Sequence, residues 1–163
     1  MRALKLFNAW LVKAGSWGTI LFVAVIAVVI PYEVIGRYVF QKMNIWTGEV
    51  STYSLVWASM LGGAVGLRKG YLISMTSVLE VIPPAAAKAL RVVSHVCSLI
   101  FFSVMFGYGL YQTLYNWKQT SPAMGLVMSL PYAALPTGFF IMFFVTLEQF
   151  LDSLGLGSKG EGR

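Results

Sequence analysis

The sequence predicts an all-α integral membrane protein: four transmembrane helices plus short interfacial amphipathic helices. Three observations carry this. Hydrophobic residues make up 58% of the chain and charged residues 11%, whereas a soluble domain carries about 25% charged residues. Four separate segments each supply the roughly 20 largely apolar residues that a span requires. Most of the basic residues fall between or outside those segments, and unequally on the two sides. Little chain is left for a soluble domain. The sequence therefore divides into an N-terminal interfacial helix at 1–16, a four-span membrane domain at 17–151 and a flexible cytoplasmic tail at 152–163.

The N-terminal stretch RALKLFNAWLVKAG places Leu4, Phe7, Leu11 and Ala14 along one helical face. Arg2, Lys5, Asn8 and Lys13 lie largely elsewhere, the pattern of a helix lying in the membrane interface. The alternative is a simple extension of the first span. That span runs from about Trp17 to Phe40, too long for a cleaved leader and without an A-x-A-like site.

The second span, about Glu49 to Leu67, is punctuated at both ends. Thr47 is the expected N-cap, with Glu49 near the positive helix end. Arg68 and Lys69 suit the negative end, and Gly70 is placed to terminate the helix. Between them Ser54, Ala58, Gly62 and Gly66 recur every four residues, a stripe along which another helix can approach closely. The next stretch, YLISMTSVLEVIPP, sets Leu72, Met75, Leu79 and Ile82 against Ser74, Ser77 and Glu80, and predicts a second surface helix. Pro83 and Pro84 end it, and Pro84 can open the following helix.

The third span, about Val92 to Tyr115, ends in Tyr108, Tyr111, Tyr115 and Trp117, residues typical of a membrane–water boundary. A short connection rich in turn formers leads to the fourth span, about Leu130 to Leu151. Pro131 is placed to start that helix and Pro136 to kink it.

Glu33 and Arg37 sit four residues apart in the first span and share one helix face. Ionisable groups within a span are functional candidates by default. At about 1.5 Å per residue, Glu33 lies towards the outer third of the bilayer and Arg37 one turn farther out, within snorkelling reach of headgroups. That depth favours a structural or intersubunit clamp. A headgroup contact for Arg37 and direct transport chemistry are the alternatives, and Glu49 is a second candidate partner for Arg37.

Several function classes find no support. A single cysteine, Cys97, permits no intrachain disulfide or CxxC pair, and reads as a small packing thiol. A single histidine, His95, cannot form a bis-histidine haem site within this chain. No Ser-His-Asp set, metal cluster or phosphate-cradling glycine loop occurs, so no enzyme and no cofactor is expected in this chain. The net charge of +6 is a topology signal rather than a nucleic-acid footprint. Nine basic residues (Arg2, Lys5, Lys13, Arg68, Lys69, Lys88, Arg91, Lys159 and Arg163) oppose three (Arg37, Lys42 and Lys118), which places both termini in the cytoplasm.

Three stretches in order carry a family resemblance: GRYVFQKMNIWTGEV, GGAVGLRKGYLISM and QTSPAMGLVMSLPYAALPTG. Their order and spacing, with four spans, resemble the small membrane subunit of TRAP transporters, the tripartite ATP-independent periplasmic transporters, from about Ile35 to Phe150. Two departures stand out. Gly48 and Glu49 occupy positions where the family often has two acidic residues, and Tyr71 stands near a common histidine position.

The resemblance implies a bacterial inner-membrane scaffold with two partners: a large membrane subunit and a periplasmic substrate-binding protein. The large subunit would carry the substrate and sodium sites. Substrates would be organic acids such as sialic acid or C4-dicarboxylates. Glu33, Arg37, Trp46, Glu49, Ser54, Ala58, Gly62 and Gly66 become candidate partner or scaffold residues. Trp46 reads first as an interfacial anchor. Lys42, Lys118, Gln119, Ser121 and Pro122 become candidates for docking the binding protein, with a capped turn into a short outer helix as the other reading of the last three. Competing readings are a membrane anchor of another enzyme complex and a small multidrug exporter. Against the exporter stand the late position of Glu33 and its neighbour Arg37.

Overall fold

The computed structural model describes residues 2–41, 44–70 and 83–154. Its helices are α1 (Arg2–Tyr38), α2 (Ile45–Arg68), α3 (Pro84–Tyr115), the single-turn α4 (Ser129–Tyr132) and α5 (Ala134–Ser153). A 3-10 turn at Asn116–Lys118 follows α3. No strand occurs among the described residues. Four stretches are long and apolar enough to cross a membrane: Leu4–Tyr38, Ile45–Arg68, Ala86–Lys118 and Ser129–Ser153. The expected all-α, four-span architecture is therefore present.

The helices do not pack in chain order. α2 packs against α1 on one side and α5 on the other, and α3 packs against α5. The fourth span thus sits between the second and third. The core follows: Leu61, Ala64 and Leu67 of α2 meet Ile141 and Val145 of α5, all buried. Phe22 of α1 stacks on Trp57 of α2 at 5.5 Å between ring centroids. Across the other seam, Phe101 and Phe102 of α3 meet Phe139 of α5. α1 and α3 are left outermost, with little of their apolar surface covered.

α1 differs from the expected two-part arrangement. No break separates residues 2–16 from the span, and 37 residues form one helix, about 55 Å long at 1.5 Å per residue. Its first turns are taken up by the bundle. Phe7 meets Phe144 edge-on at 5.5 Å, Leu11 packs on the core, and Asn8 is fully buried. Of the apolar face predicted to lie on a membrane surface, Phe7 and Leu11 pack within the bundle instead, while Ala14 stays exposed. The second surface helix, predicted over 71–82, lies outside the described residues.

Helix ends follow local chemistry, with one correction. α2 starts two residues before Thr47, because Asn44 already has the extended backbone an N-cap needs (φ −90°, ψ 110°). Thr47 lies inside the helix, buried, and donates its hydroxyl to the Asn44 carbonyl at 2.7 Å. At the other end Gly70 adopts φ +76° and donates its N–H to the Leu67 carbonyl at 3.2 Å, the left-handed stop its position suggested. Pro84 opens α3. The fourth span breaks at Ala133, between α4 and α5. Pro136 has no N–H for the Tyr132 carbonyl one turn back, which is the physical reason for a break there.

Close helix approach separates two glycines sharply. A Cβ on Gly138 would sit 2.8 Å from Met60 Cβ and 3.3 Å from the Met60 carbonyl oxygen, whereas one on Gly66 would meet nothing within 4 Å. Gly138→Ala should therefore cost about 1–3 kcal/mol. Gly66→Ala should be neutral or stabilise by up to about 1 kcal/mol. Thermal unfolding of both variants in one detergent checks the contrast; equal behaviour would contradict this packing.

Candidate functional site

The antiparallel helices bring both described chain ends to one end of the bundle and the connections α1–α2 and α3–α4 to the other. Polar side chains gather at both ends and do different things.

At the terminus-bearing end, three helices converge on Glu148. Asn8 of α1 donates Nδ2–H groups to Glu148 Oε2 at 2.6 Å and to the Phe144 carbonyl at 2.9 Å. Both partners are acceptors, so the amide orientation is fixed. Arg68 of α2 forms an ion pair with the same carboxylate. Nearby, Gln149 donates to the Leu67 carbonyl at 3.1 Å, and Lys5 pairs with Asp152 across more exposed ground at 3.8 Å. Glu148 is 7% exposed and Asn8 0%. In the sequence Arg68 reads as a cation at the negative end of its helix and Asn8 as part of the polar side of an interfacial helix, and neither points to Glu148. The available signal was an acid near the end of an otherwise apolar span. Such a group needs a cation within reach, and Arg68 at the end of α2 is one.

At the opposite end, Glu49 anchors the connection between α3 and α4. Its carboxylate accepts from Ser121 Oγ at 2.5 Å, Ala123 N at 3.0 Å and Met124 N at 3.2 Å. The connection is itself ordered by a bridge between Thr120 and Val127 and by Gly125 at φ +66°. Trp57 adds a bond from Nε1 to the Leu130 carbonyl at 3.2 Å. Ser121 is buried and engaged, so its hydroxyl does not face an incoming protein. Lys118, Gln119 and Pro122 are exposed beside it. Lys42 lies outside the described residues.

Arg37 pairs with Glu33 at 3.1 Å, leaving Glu49 to the α3–α4 connection. The pair sits at the edge of the packed face of α1: Glu33 is partly covered and Arg37 more open, with the Arg37 and Glu33 side chains 50% and 27% exposed respectively. Beside it Trp46 lies 6.0 Å from Tyr32 between ring centroids and is also exposed.

The small-residue stripe divides. Ser54 and Ala58 are buried within the chain, while Gly62 and Gly66 border an open groove between α1 and α2. The reason is geometric. Residues spaced by four advance about 40° around an α-helix at each step, so the stripe winds off the inner face. His95, buried on α3, donates Nδ1–H to the Arg91 carbonyl at 2.7 Å. Cys97 is exposed on α3 rather than packed, because the face opposite α5 has no neighbour among the described residues.

Comparison with known proteins agrees with this arrangement. The family model described as the DctQ component of tripartite ATP-independent periplasmic transporters matches residues 8–155. The small permease protein TeaB of the ectoine TRAP transporter of Halomonas elongata is 30% identical over 112 residues, 67% of this chain and 58% of that protein. A putative TRAP transporter small permease protein of Haemophilus influenzae is 21% identical over 138 residues, 85% of this chain and 86% of that protein. The isethionate TRAP transporter permease protein DctMQ of Oleidesulfovibrio alaskensis is 25% identical over 115 residues, 68% of this chain but 18% of that longer protein. The match thus spans little more than half of the ectoine protein and under a fifth of the isethionate one. Enzyme-complex anchor and multidrug exporter give way to this family, whose members are transporter subunits and not enzymes. With a family match running almost the length of the chain and four helices able to cross a membrane, the protein belongs to the DctQ-component family of TRAP transporters and is a multi-pass inner-membrane protein.

Proposed function

We propose that this chain is the static scaffold of a sodium-coupled TRAP transporter, holding a separate large membrane subunit that carries substrate and sodium. The observation that carries the reading is the largely uncovered apolar surface of α1, with Arg37 half exposed near its outer end. A charged group left facing hydrocarbon is costly, and most of the apolar surface of α1 finds no cover among the described residues. A partner membrane protein supplies both remedies. The likeness to one segment of a longer permease protein, DctMQ, supports such a partner. Among the described residues only the fourth span is interrupted, near one end, and the sequence carries no convincing internal repeat, unlike many complete secondary transporters. Substrate and sodium sites accordingly fall to the large subunit.

In this reading the terminus-bearing end is cytoplasmic, following the excess of basic residues there. The α3–α4 connection is periplasmic and offers Lys118, Gln119 and Pro122 to a substrate-binding protein. The substrate is a small organic acid, with sialic acid and C4-dicarboxylates as the first to test. The names of two relatives add isethionate and ectoine to the panel.

The test is uptake into cells or proteoliposomes with each membrane subunit and the binding protein omitted in turn, with and without a sodium gradient. Loss of uptake on omission of this chain, with the large subunit still in the membrane, is expected. Undiminished uptake without it would refute the scaffold role. Glu33→Gln should lower recovery of the large subunit on co-purification more than it alters sodium dependence. Intact assembly with failed sodium coupling would return the pair to transport chemistry.

A further inference from the structure

We infer that the groove between α1 and α2 is a binding site for an anionic phospholipid, with one acyl chain in the groove and the phosphate held by Lys13 and Lys69. The groove measures about 360 Å³ and is walled by Ser16, Thr19 and Ile20 of α1 and Gly62, Val65 and Gly66 of α2. Water's share of liquid volume is about 30 Å³, so the space admits roughly a dozen methylene-sized groups. Its two hydroxyls ask for no ligand. Ser16 and Thr19 donate to the Val12 and Gly15 carbonyls, each at 2.8 Å. What remains is an apolar trough whose floor is glycine, open along a membrane-spanning pair of helices.

Charge marks one end of the trough. Lys69 borders it at the C-terminus of α2. Lys13 precedes Ser16 by three residues and so lies one turn away on the same face of α1. The helices run antiparallel: Gly62 lies opposite Thr19, and Val65 opposite Gly15. Continuing that register by one turn brings Lys69 level with Leu11 and Val12, so Lys13 lies within about two residues' rise of it along the helix axis. Both lysines are exposed, and neither has an ion-pair partner among the described residues. Arg68, next to Lys69, is already committed to Glu148. Two unpaired cations at the mouth of an apolar trough match a phosphate on an acyl chain, the arrangement by which basic pockets between spans select anionic lipids. A transmembrane helix fits less well. Only Gly62 and Gly66 of the small-residue stripe face this way, and an apolar helix brings no anion to the lysines. The inference needs the chain only to span a membrane and is independent of the scaffold reading.

Native mass spectrometry of the full chain, released from detergent containing equal phosphatidylglycerol and phosphatidylcholine, tests this. About tenfold preferential retention of phosphatidylglycerol is expected, the order that one or two basic groups supply. Lys13→Gln with Lys69→Gln should bring the two lipids towards parity. Gly66→Leu, which fills the trough without touching the charges, should reduce retention of both. Absence of a preference in the wild type, or a preference unchanged in the double variant, overturns the proposal. So does a Gly66→Leu chain that retains lipid normally but no longer co-purifies with the large membrane subunit, since that outcome assigns the trough to a partner helix.

Discussion

Replacing Arg68 with alanine is expected to destabilise the bundle by about 3–5 kcal/mol, the range for removing one member of a buried ion pair. Glu148 would lose its cation beside a core of Leu67 and Val145, with Asn8 left to hydrogen-bond it. Asn8→Ala should cost less, about 1.5–3 kcal/mol, since it removes a hydrogen bond to a charged group but leaves the ion pair. Replacing Arg68 and Glu148 together with Met and Leu should recover most of the loss, because the buried charge disappears with its partner. Reversible unfolding in mixed micelles, run as a double-mutant cycle, measures all of these. If Arg68→Ala unfolded like the wild type, the three-helix junction would not exist in the membrane. The junction also predicts a location for the damage. Exchange protection should fall first in the early turns of α1, which Asn8 ties to α5.

Glu49→Ala should release the connection between α3 and α4. Three donors, Ser121 Oγ and the amides of Ala123 and Met124, lose their acceptor together. Hydrogen bonds to an ionised carboxylate are about twice as strong as neutral ones. Exchange at the Ala123 and Met124 amides should therefore accelerate by at least about tenfold, while amides in the middle of α2 and α5 hold their protection. Glu49→Gln should fall between, keeping the shape but losing the charge. In the complete transporter, the same substitution should weaken uptake most at limiting binding-protein concentration. The connection would then no longer present Lys118, Gln119 and Pro122 in one arrangement. Unchanged exchange at Ala123 and Met124 would remove Glu49 from this role.

Most of the fold was legible because its signals are local. Runs of apolar residues marked all four spans. Gly70 and Pro84 marked a stop and a start by chemistry that acts within one turn. The site was less legible because its signals are contacts between helices. Glu49 was singled out, yet its partners lie 72 to 75 residues away. In the sequence Ser121 fits either a docking surface or a capped turn, because nothing near it showed that Glu49 would occupy its hydroxyl. Asn8 misled for a related reason. On an isolated helix it belongs to the polar face, and only the proximity of α5 turns that face inward.

By itself, then, the sequence determined what each segment is: which stretches cross the bilayer, where helices stop and start, and that Glu33 and Arg37 share one face. A bilayer lets no span leave its backbone unpaired, so composition and length alone settle that much. The tertiary structure decided which neighbour each helix has. It put the fourth span between the second and third, turned Ser54 and Ala58 inward while Gly62 and Gly66 stayed open, and gave Arg68 to Glu148. Pairing between helices depends on shape and charge complementarity over long chain separations, with lipid tails as apolar as the side chains they replace. Hydrophobic periodicity therefore says little about it, and the polar junctions at the two ends emerge only once the helices are side by side.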